Sequence, residues 1–379
     1  MKRILALASV ALATVASPAL ADITVCISLS ATGPAASLGI PEQNAVPFLP
    51  TMAGDTKINY IIYDDATDPT AATRNARKCT EDDRADVIIG SSTAPTSASV
   101  ASVAFEALTP VIALAPVSVK DDVNVWTFRA VQTNRMMASA LVEHMVASNV
   151  KTLGFIGFAD AFGDDWIAAL EELLKDTGIK MDPVERFARS DTSVTGQALK
   201  IGLANPDAVM VVASGTPSAL PPTALRERGY TGQIYMTHGS VSPTYIRVAG
   251  AAAEGSILPV GPVAVAEQLP DSHPSKAIAV DFATKYNAVH GEGSVSAFSG
   301  MMFDAGQLVA HASVEALKTA QPGTPEFRKA LRDALENVRE LVSVNGVYNT
   351  SPDDHYGHDE RSRVLIQVKD GKFEYLPLN

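Results

Sequence analysis

Short apolar runs alternate along the chain with longer stretches whose apolar positions recur at helical spacing. The first series predicts strands over 23–29, 58–63, 87–89 and 111–114, with helices over 41–49, 70–82 and 96–108 between them. A second series predicts helices over 136–147, 165–175, 194–203 and 222–229. Strands over 153–158, 208–213 and 233–236 fall among them, with a further element over 181–187. The third part reads as helical over 275–290, 298–318 and 325–337. Two last strands, 363–369 and 372–375, are joined by Asp370-Gly371, a tight-turn dipeptide. Such alternation implies an α/β fold with two parallel sheets covered by helices on both faces. No low-complexity linker separates the halves, and domains joined in that way share crossovers and move as a hinge.

The N-terminus changes the picture of where the chain works. Met1-Lys2-Arg3 is positive, and Ile4 to Val15 is apolar and uncharged. That run is shorter than the roughly 20 residues that span a bilayer. Ser17-Pro18 breaks it, and Ala19-Leu20-Ala21 supplies small residues at a cleavage site. These are the regions of a secretory signal peptide. Cleavage before Asp22 and a soluble periplasmic product are expected, and Asp22 is not the cysteine that a lipid anchor would need. Residues 22–379 exceed one typical core, so two domains are expected. A net charge of −12 without a basic patch argues against nucleic acid and anionic membranes as partners. The two cysteines, Cys26 and Cys79, could form a disulfide in an oxidising compartment or remain two buried thiols.

Ligands of open parallel sheets bind beyond the C-terminal strand ends. After the first strand comes a loop of small residues from Ser30 to Gly39, without the lysine of a phosphate loop. After 87–89 comes Gly90-Ser91-Ser92-Thr93-Ala94, rich in hydroxyls and leading a helix. Free amides and the helix dipole there suit an anion, while an ordinary helix cap is the plainer alternative. Ala113-Leu114-Ala115-Pro116 is an apolar turn that could supply one wall. In the second series Phe162 and Trp166 offer aromatic walls, or core. Ser214-Gly215-Thr216 and Thr237-His238-Gly239 follow later strands, and Phe298 offers another flat apolar surface. His238 reads more readily as structural than catalytic. Asp68-Pro69 reads as a helix start. Asp353, Asp354, His355, His358, Asp359 and Glu360 match no metal-ligand spacing and read as a solvated loop. No nucleophile elbow is present.

Motifs spread over more than 300 residues carry a resemblance. They are Thr32-Gly33-Pro34, Tyr63-Asp64-Asp65 with Asp68-Pro69, Gly90-Ser91-Ser92-Thr93 and Trp126-Thr127-Phe128-Arg129. Phe162-Gly163, Gly215-Thr216-Pro217, Leu225-Arg226-Glu227-Arg228-Gly229 and Ala253-Glu254-Gly255 continue the series. The chain resembles the branched-chain amino acid (Leu/Ile/Val) branch of type I periplasmic binding proteins, the substrate-binding components of ABC transporters. It is most similar to members that serve transporters of aromatic and other organic acids.

The resemblance implies two Rossmann-like lobes joined by three crossovers, near 129–131, 257–259 and 346–348. Lobe 1 would comprise 22–130 plus 259–346, and lobe 2 would comprise 131–258 plus 347–379. It implies that Ser92, Thr93 and Ala94, with Ala113, Leu114 and Ala115, hold a ligand carboxylate. Phe162 would close over the rest of the ligand from lobe 2. Relatives that bind amino acids place an acid where this chain has Gly239, beside His238, a tyrosine at Leu38 and a hydroxyl at Ala94. A buried ammonium without a partner costs several kcal/mol, of order 3–5 when one partner of a buried pair is lost. The expectation is therefore a monomeric receptor without cofactor or metal, which is not an enzyme. It would bind a small carboxylate, an aromatic or other organic acid first, and deliver it to permease subunits. A branched-chain amino acid receptor, a sensor docking to a signalling partner and a secreted α/β enzyme are the alternatives.

Overall fold

The computed structural model describes residues 21–377. The leader expected over 1–21 lies, apart from Ala21, outside the described residues. The first sheet contains β1 (Ile23–Leu29), β2 (Met52–Ala53), β3 (Thr56–Asp64), β4 (Val87–Ile89), β5 (Val111–Ala113) and β6 (Thr127–Arg129). Their order is β2-β3-β1-β4-β5-β6, and every pair except β2–β3 is parallel. β1 is buried at all but one position, as a central strand covered on both faces must be. Around it pack α1 (Ala36–Ala45), α2 (Pro69–Glu81), α3 (Ala94–Glu106) and the short α4 (Asp121–Asn124).

The second sheet holds β7 (Thr152–Phe158), β8 (Lys180–Phe187), β9 (Ala208–Val212), β10 (Gln233–Met236) and β11 (Ile257–Val260). Its helices are α5 (Asn134–Ala147), α6 (Ala161–Leu174), α7 (Thr195–Ala204), α8 (Leu220–Arg226) and α9 (Pro243–Ala249). The chain then runs through α10 (Lys276–His290), α11 (Ala297–Ala316) and α12 (Pro325–Leu335) to the small hairpin β12 (Leu341–Ser343)–β13 (Gly346–Tyr348). β14 (Val364–Lys369) and β15 (Lys372–Leu376) close the second sheet as an antiparallel edge, in the order β15-β14-β11-β10-β9-β7-β8. α11 packs on α1, which returns that part of the chain to the first lobe. Two parallel-dominated sheets thus make two lobes, as expected.

Three sequence expectations shift. α1 begins at Ala36, not at Pro41, which sits inside the helix. β11 pairs with β14 through Val260, so the second crossover lies beyond that residue rather than near 257–259. His355 and His358 are not in a solvated loop. His355 stacks on Phe128 at 4.2 Å and its Nε2 lies 3.3 Å from Glu336 Oε1, while His358 packs on Tyr348 at 4.2 Å. Asp68 caps α2, accepting from the Thr70 and Ala71 amides at 2.6 and 3.0 Å, as its sequence context indicated.

The hinge region is held by buried polar groups. Gln132 Nε2 donates to the Asn345 and Ser362 carbonyls at 2.9 and 2.8 Å, tying the first crossover to the third. Asp304 of α11 accepts from the Ser343 hydroxyl, the Val344 and Asn345 amides at 3.0 and 3.1 Å, and the Tyr348 hydroxyl at 3.0 Å. Burial raises its carboxyl to about 7 against those stabilising bonds. Cys26 of β1 and Cys79 of α2 form a disulfide, with Cα atoms 5.7 Å apart, inside a small apolar cluster under α2 and α3. Among the described residues, no helix is long and apolar enough to cross a membrane.

Candidate ligand-binding site

The C-terminal ends of both sets of parallel strands face one narrow cavity between the lobes. Leu38, Ser92, Thr93, Ala94, Leu114 and Ala115 line it from the first lobe, together with Phe298 of α11. Phe162, His238 and Gly239 line it from the second. Pro116 and Ser214, from two strand-end segments singled out in the sequence, also line it, and Val131, Met301 and Arg189, which sequence reasoning had not placed there, complete the lining.

Four candidate residues do not line the cavity. Ala113 lies within β5, its carbonyl accepting from the Ala130 amide at 2.9 Å, so its backbone belongs to the sheet. Gly215 and Thr216 stand instead where the lobes touch. A Cβ on Gly215 would lie 2.8 Å from Leu38 Cδ1, and Thr216 Oγ1 lies 3.4 Å from Ser37 Oγ across the cleft. Trp166 is fully buried behind the wall rather than in it. It stacks under His238 at 6.1 Å and meets Phe162 edge-on at 6.3 Å, fixing both rings.

The first-lobe loop is held from behind by two buried acids. Asp65 accepts from the hydroxyls of Ser30 at 2.7 Å and Ser91 at 2.5 Å, stitching the end of β1 to that of β4. Ser92 Oγ accepts from the Ser30 amide at 2.9 Å and donates to Glu42, so this hydroxyl is already spent. Burial pushes the Glu42 carboxyl well above the usual carboxylate range. Thr93 is the N-cap of α3 in a capping box with Thr96, their hydroxyls 2.7 Å apart. The plainer reading of this hydroxyl is thus realised, although it also lines the cavity. Pro95 has no N–H and Thr96 N donates only weakly, at 3.5 Å, to Thr93 Oγ1. The Ala94 N–H remains as the first-turn donor beside the cavity, at the positive end of a 13-residue helix.

The second-lobe wall is aromatic with one cation. Arg189 follows β8 by two residues, with Nε donating to Asp160 at 2.5 Å and Nη1 to Ser214 Oγ at 2.9 Å. Its guanidinium lies 4.2 Å from the centre of the Phe158 ring. Burial pulls its pKa down and Asp160 opposes that. Asp160 also caps α6 through the Phe162 amide at 3.0 Å. Burial lowers His238 to about 4, so the ring is neutral, and its Nδ1 has no partner among the described residues. Gly239 leaves no room for a side chain, since a Cβ would lie 2.7 Å from Ser214 Cβ. The strand-end rule that found His238 would also have found Arg189, had the residues after 181–187 been read in the same way.

Comparison with known proteins places this geometry. A family profile described as "Periplasmic binding protein" matches residues 22–372. An extracellular ligand-binding receptor from Rhodopseudomonas palustris HaA2 is 46% identical, with a TM-score of 0.93 over 94% of this chain and 100% of that one. A solute binding protein of an ABC transporter from R. palustris, solved with benzoate, is 19% identical with a TM-score of 0.76, covering 94% and 96%. The leucine binding protein LivK from Thermotoga maritima is 17% identical with a TM-score of 0.79, covering 94% and 98%. The search of curated proteins gives no match. The match along nearly the whole chain, on two lobes of parallel-dominated sheet around one cleft, shows that this protein belongs to the type I periplasmic binding proteins.

Proposed function

We propose that the protein is the solute receptor of an ABC importer, binding a small organic acid, an aromatic acid first, between lobes that close on it. The observation that carries this reading is the charge of the cavity wall. Arg189 is the one charged side chain among its described lining residues. Asp160 is engaged by Arg189, Asp164 by Arg186 at 2.7 Å and Asp165 by Asn134 at 2.6 Å. An α-ammonium would find no free carboxylate there, whereas a carboxylate finds the Ala94 amide, the Thr93 hydroxyl and a helix N-terminus. Phe162 and Phe298 supply flat apolar surface for a ring. The benzoate complex of the R. palustris relative supports an aromatic acid within this fold.

In this reading the lobes are 22–130 with 261–361 and 131–260 with 362–379; Tyr348 on Asp304 of α11 and His355 on Phe128 keep 347–361 with the first lobe, so the third crossover lies after Arg361 and not near 346–348. Ligand stabilises the closed form, which the permease subunits recognise. The protein works as a periplasmic monomer after cleavage before Asp22, by binding without turnover. Native mass spectrometry of protein purified from the periplasm tests the class of solute. A retained organic acid supports the proposal, and retained leucine, isoleucine or valine contradicts it.

A further inference from the structure

The second-lobe wall holds a polar cluster that a benzoate-like acid would leave unused. Asp160, Arg189, Ser214 and His238 come from the ends of β7, β8, β9 and β10. A guanidinium has five N–H groups, and only two of those on Arg189 are engaged, by Asp160 and Ser214. The side chain is 15% exposed and lines the cavity. Beside it, His238 is 2% exposed and its Nδ1 has no partner among the described residues. Leaving such donors and acceptors dry and unmatched under a bound ring would cost free energy.

The charge of the cluster decides what it would accept. Asp160 already neutralises Arg189, so a second ligand carboxylate would set two anions on one guanidinium inside a buried site. A hydroxyl carries no such penalty. Its oxygen accepts from a free Arg189 N–H, and its hydrogen suits a neutral acceptor such as an imidazole nitrogen.

We propose that Arg189, with Ser214 and His238, forms a second polar subsite for a hydroxyl on the ligand, remote from its carboxylate. The proposal rests on the organic-acid reading above and narrows it to hydroxy-substituted aromatic acids. The ligand then has two polar ends, one on each lobe, so it bridges the lobes it draws together.

The test is calorimetric titration of the whole protein, stripped of retained ligand by unfolding and refolding. Benzoate and 3-phenylpropanoate provide two lengths of acid, each titrated without and with a ring hydroxyl at position 3 or 4. Benzene-1,4-dicarboxylate is added as the dianion. In the wild type at least one hydroxy acid should bind about tenfold to a hundredfold tighter than its parent, the value of a hydrogen bond to a charged group. In Arg189→Met that gap between hydroxy acid and parent should close to about twofold or less. Parents that bind as tightly as every hydroxy acid, or a dicarboxylate that binds tightest, would overturn the subsite while leaving the organic-acid reading in place. No binding of any acid would overturn both. Should Arg189→Met fail to fold, Arg189→Lys, which keeps the charge and loses the fork, should show the same narrowing, and the wild-type comparison decides by itself.

Discussion

Thr93→Ala separates two roles that the structure gives to one hydroxyl. Thr93 caps α3 and lines the cavity, and its oxygen lies 2.7 Å from Thr96 Oγ1. Thr96 Oγ1 can in turn donate to the Thr93 carbonyl at 3.0 Å. The Thr93 hydrogen therefore goes to Thr96 in the free protein or to a ligand oxygen in the complex. Removing the hydroxyl should cost the free protein about 1 kcal/mol as a lost N-cap, or roughly 2 °C in Tm. The ligand loses a hydrogen bond to its carboxylate, ordinarily worth about 1.5–3 kcal/mol. Because the hydrogen must first leave Thr96, the low end applies, and affinity should fall about tenfold. Calorimetry with the retained acid reads the second number, and a melt of the ligand-free protein reads the first. Thr93→Ser should restore both. Wild-type affinity combined with a lowered Tm would refute the ligand role and leave only the cap.

Other expectations follow from the same structure. The Cys26–Cys79 bridge closes a loop with a sequence separation of 53, which in the chain-entropy account corresponds to roughly 4 kcal/mol. Replacing both cysteines by alanine should lower the urea midpoint accordingly, and an unchanged midpoint would contradict this. Asp304 has a folded pKa of about 7, above the value of 3.8 expected unfolded, so the folded state keeps its proton longer. Its contribution to stability is present below the unfolded pKa and is lost as pH rises to about 7, at up to about 1.4 kcal/mol per pH unit. Asp304→Asn cannot ionise, so its unfolding free energy relative to wild type should rise between pH 4 and 7; parallel curves would sink the assignment. His238 and His358 act in the opposite sense in both proteins. Burial depresses them to about 4 and about 3, so stability falls as pH drops below the ordinary histidine value of 6.5.

Apolar periodicity made the alternation of strand and helix legible, and β1, β4 and β10 have the bounds read from sequence. It failed where a local signal pointed elsewhere. Pro41 reads as a helix start because proline favours the first turn, yet α1 begins at Ala36 with no side-chain cap to announce it. β12 (Leu-Val-Ser) and β13 (Gly-Val-Tyr) lack the continuous apolar run that made the equally short β4 (Val-Ile-Ile) readable. His355 and His358 were hidden among Asp353, Asp354, Asp359 and Glu360. The fold buries the two rings against Phe128 and Tyr348, a long-range arrangement that local composition does not contain.

The site was legible to the extent that strand ends point at it. The loop from Ser92 to Ala94 and the residues Phe162, His238 and Gly239 line one cavity. Sequence could not separate Phe162 from Trp166, four positions on along α6, because which ring faces the cleft depends on how that helix seats on the sheet. The pairing of Arg189 with Asp160, 29 residues apart, likewise needs the parallel β7–β8 pair to exist.

The most direct test of the central claim is a thermal-shift panel on ligand-stripped protein, setting aromatic and aliphatic acids against leucine, isoleucine and valine. A ligand at about one hundred times its Kd stabilises the fold by roughly 2.7 kcal/mol, which corresponds to several degrees in Tm for a chain of this size. The account predicts the largest shift from an aromatic acid without an α-ammonium, and little or none from the amino acids. Should leucine, isoleucine or valine give the largest shift while the aromatic acids are inert, the cavity recognises an ammonium after all and the organic-acid reading is wrong.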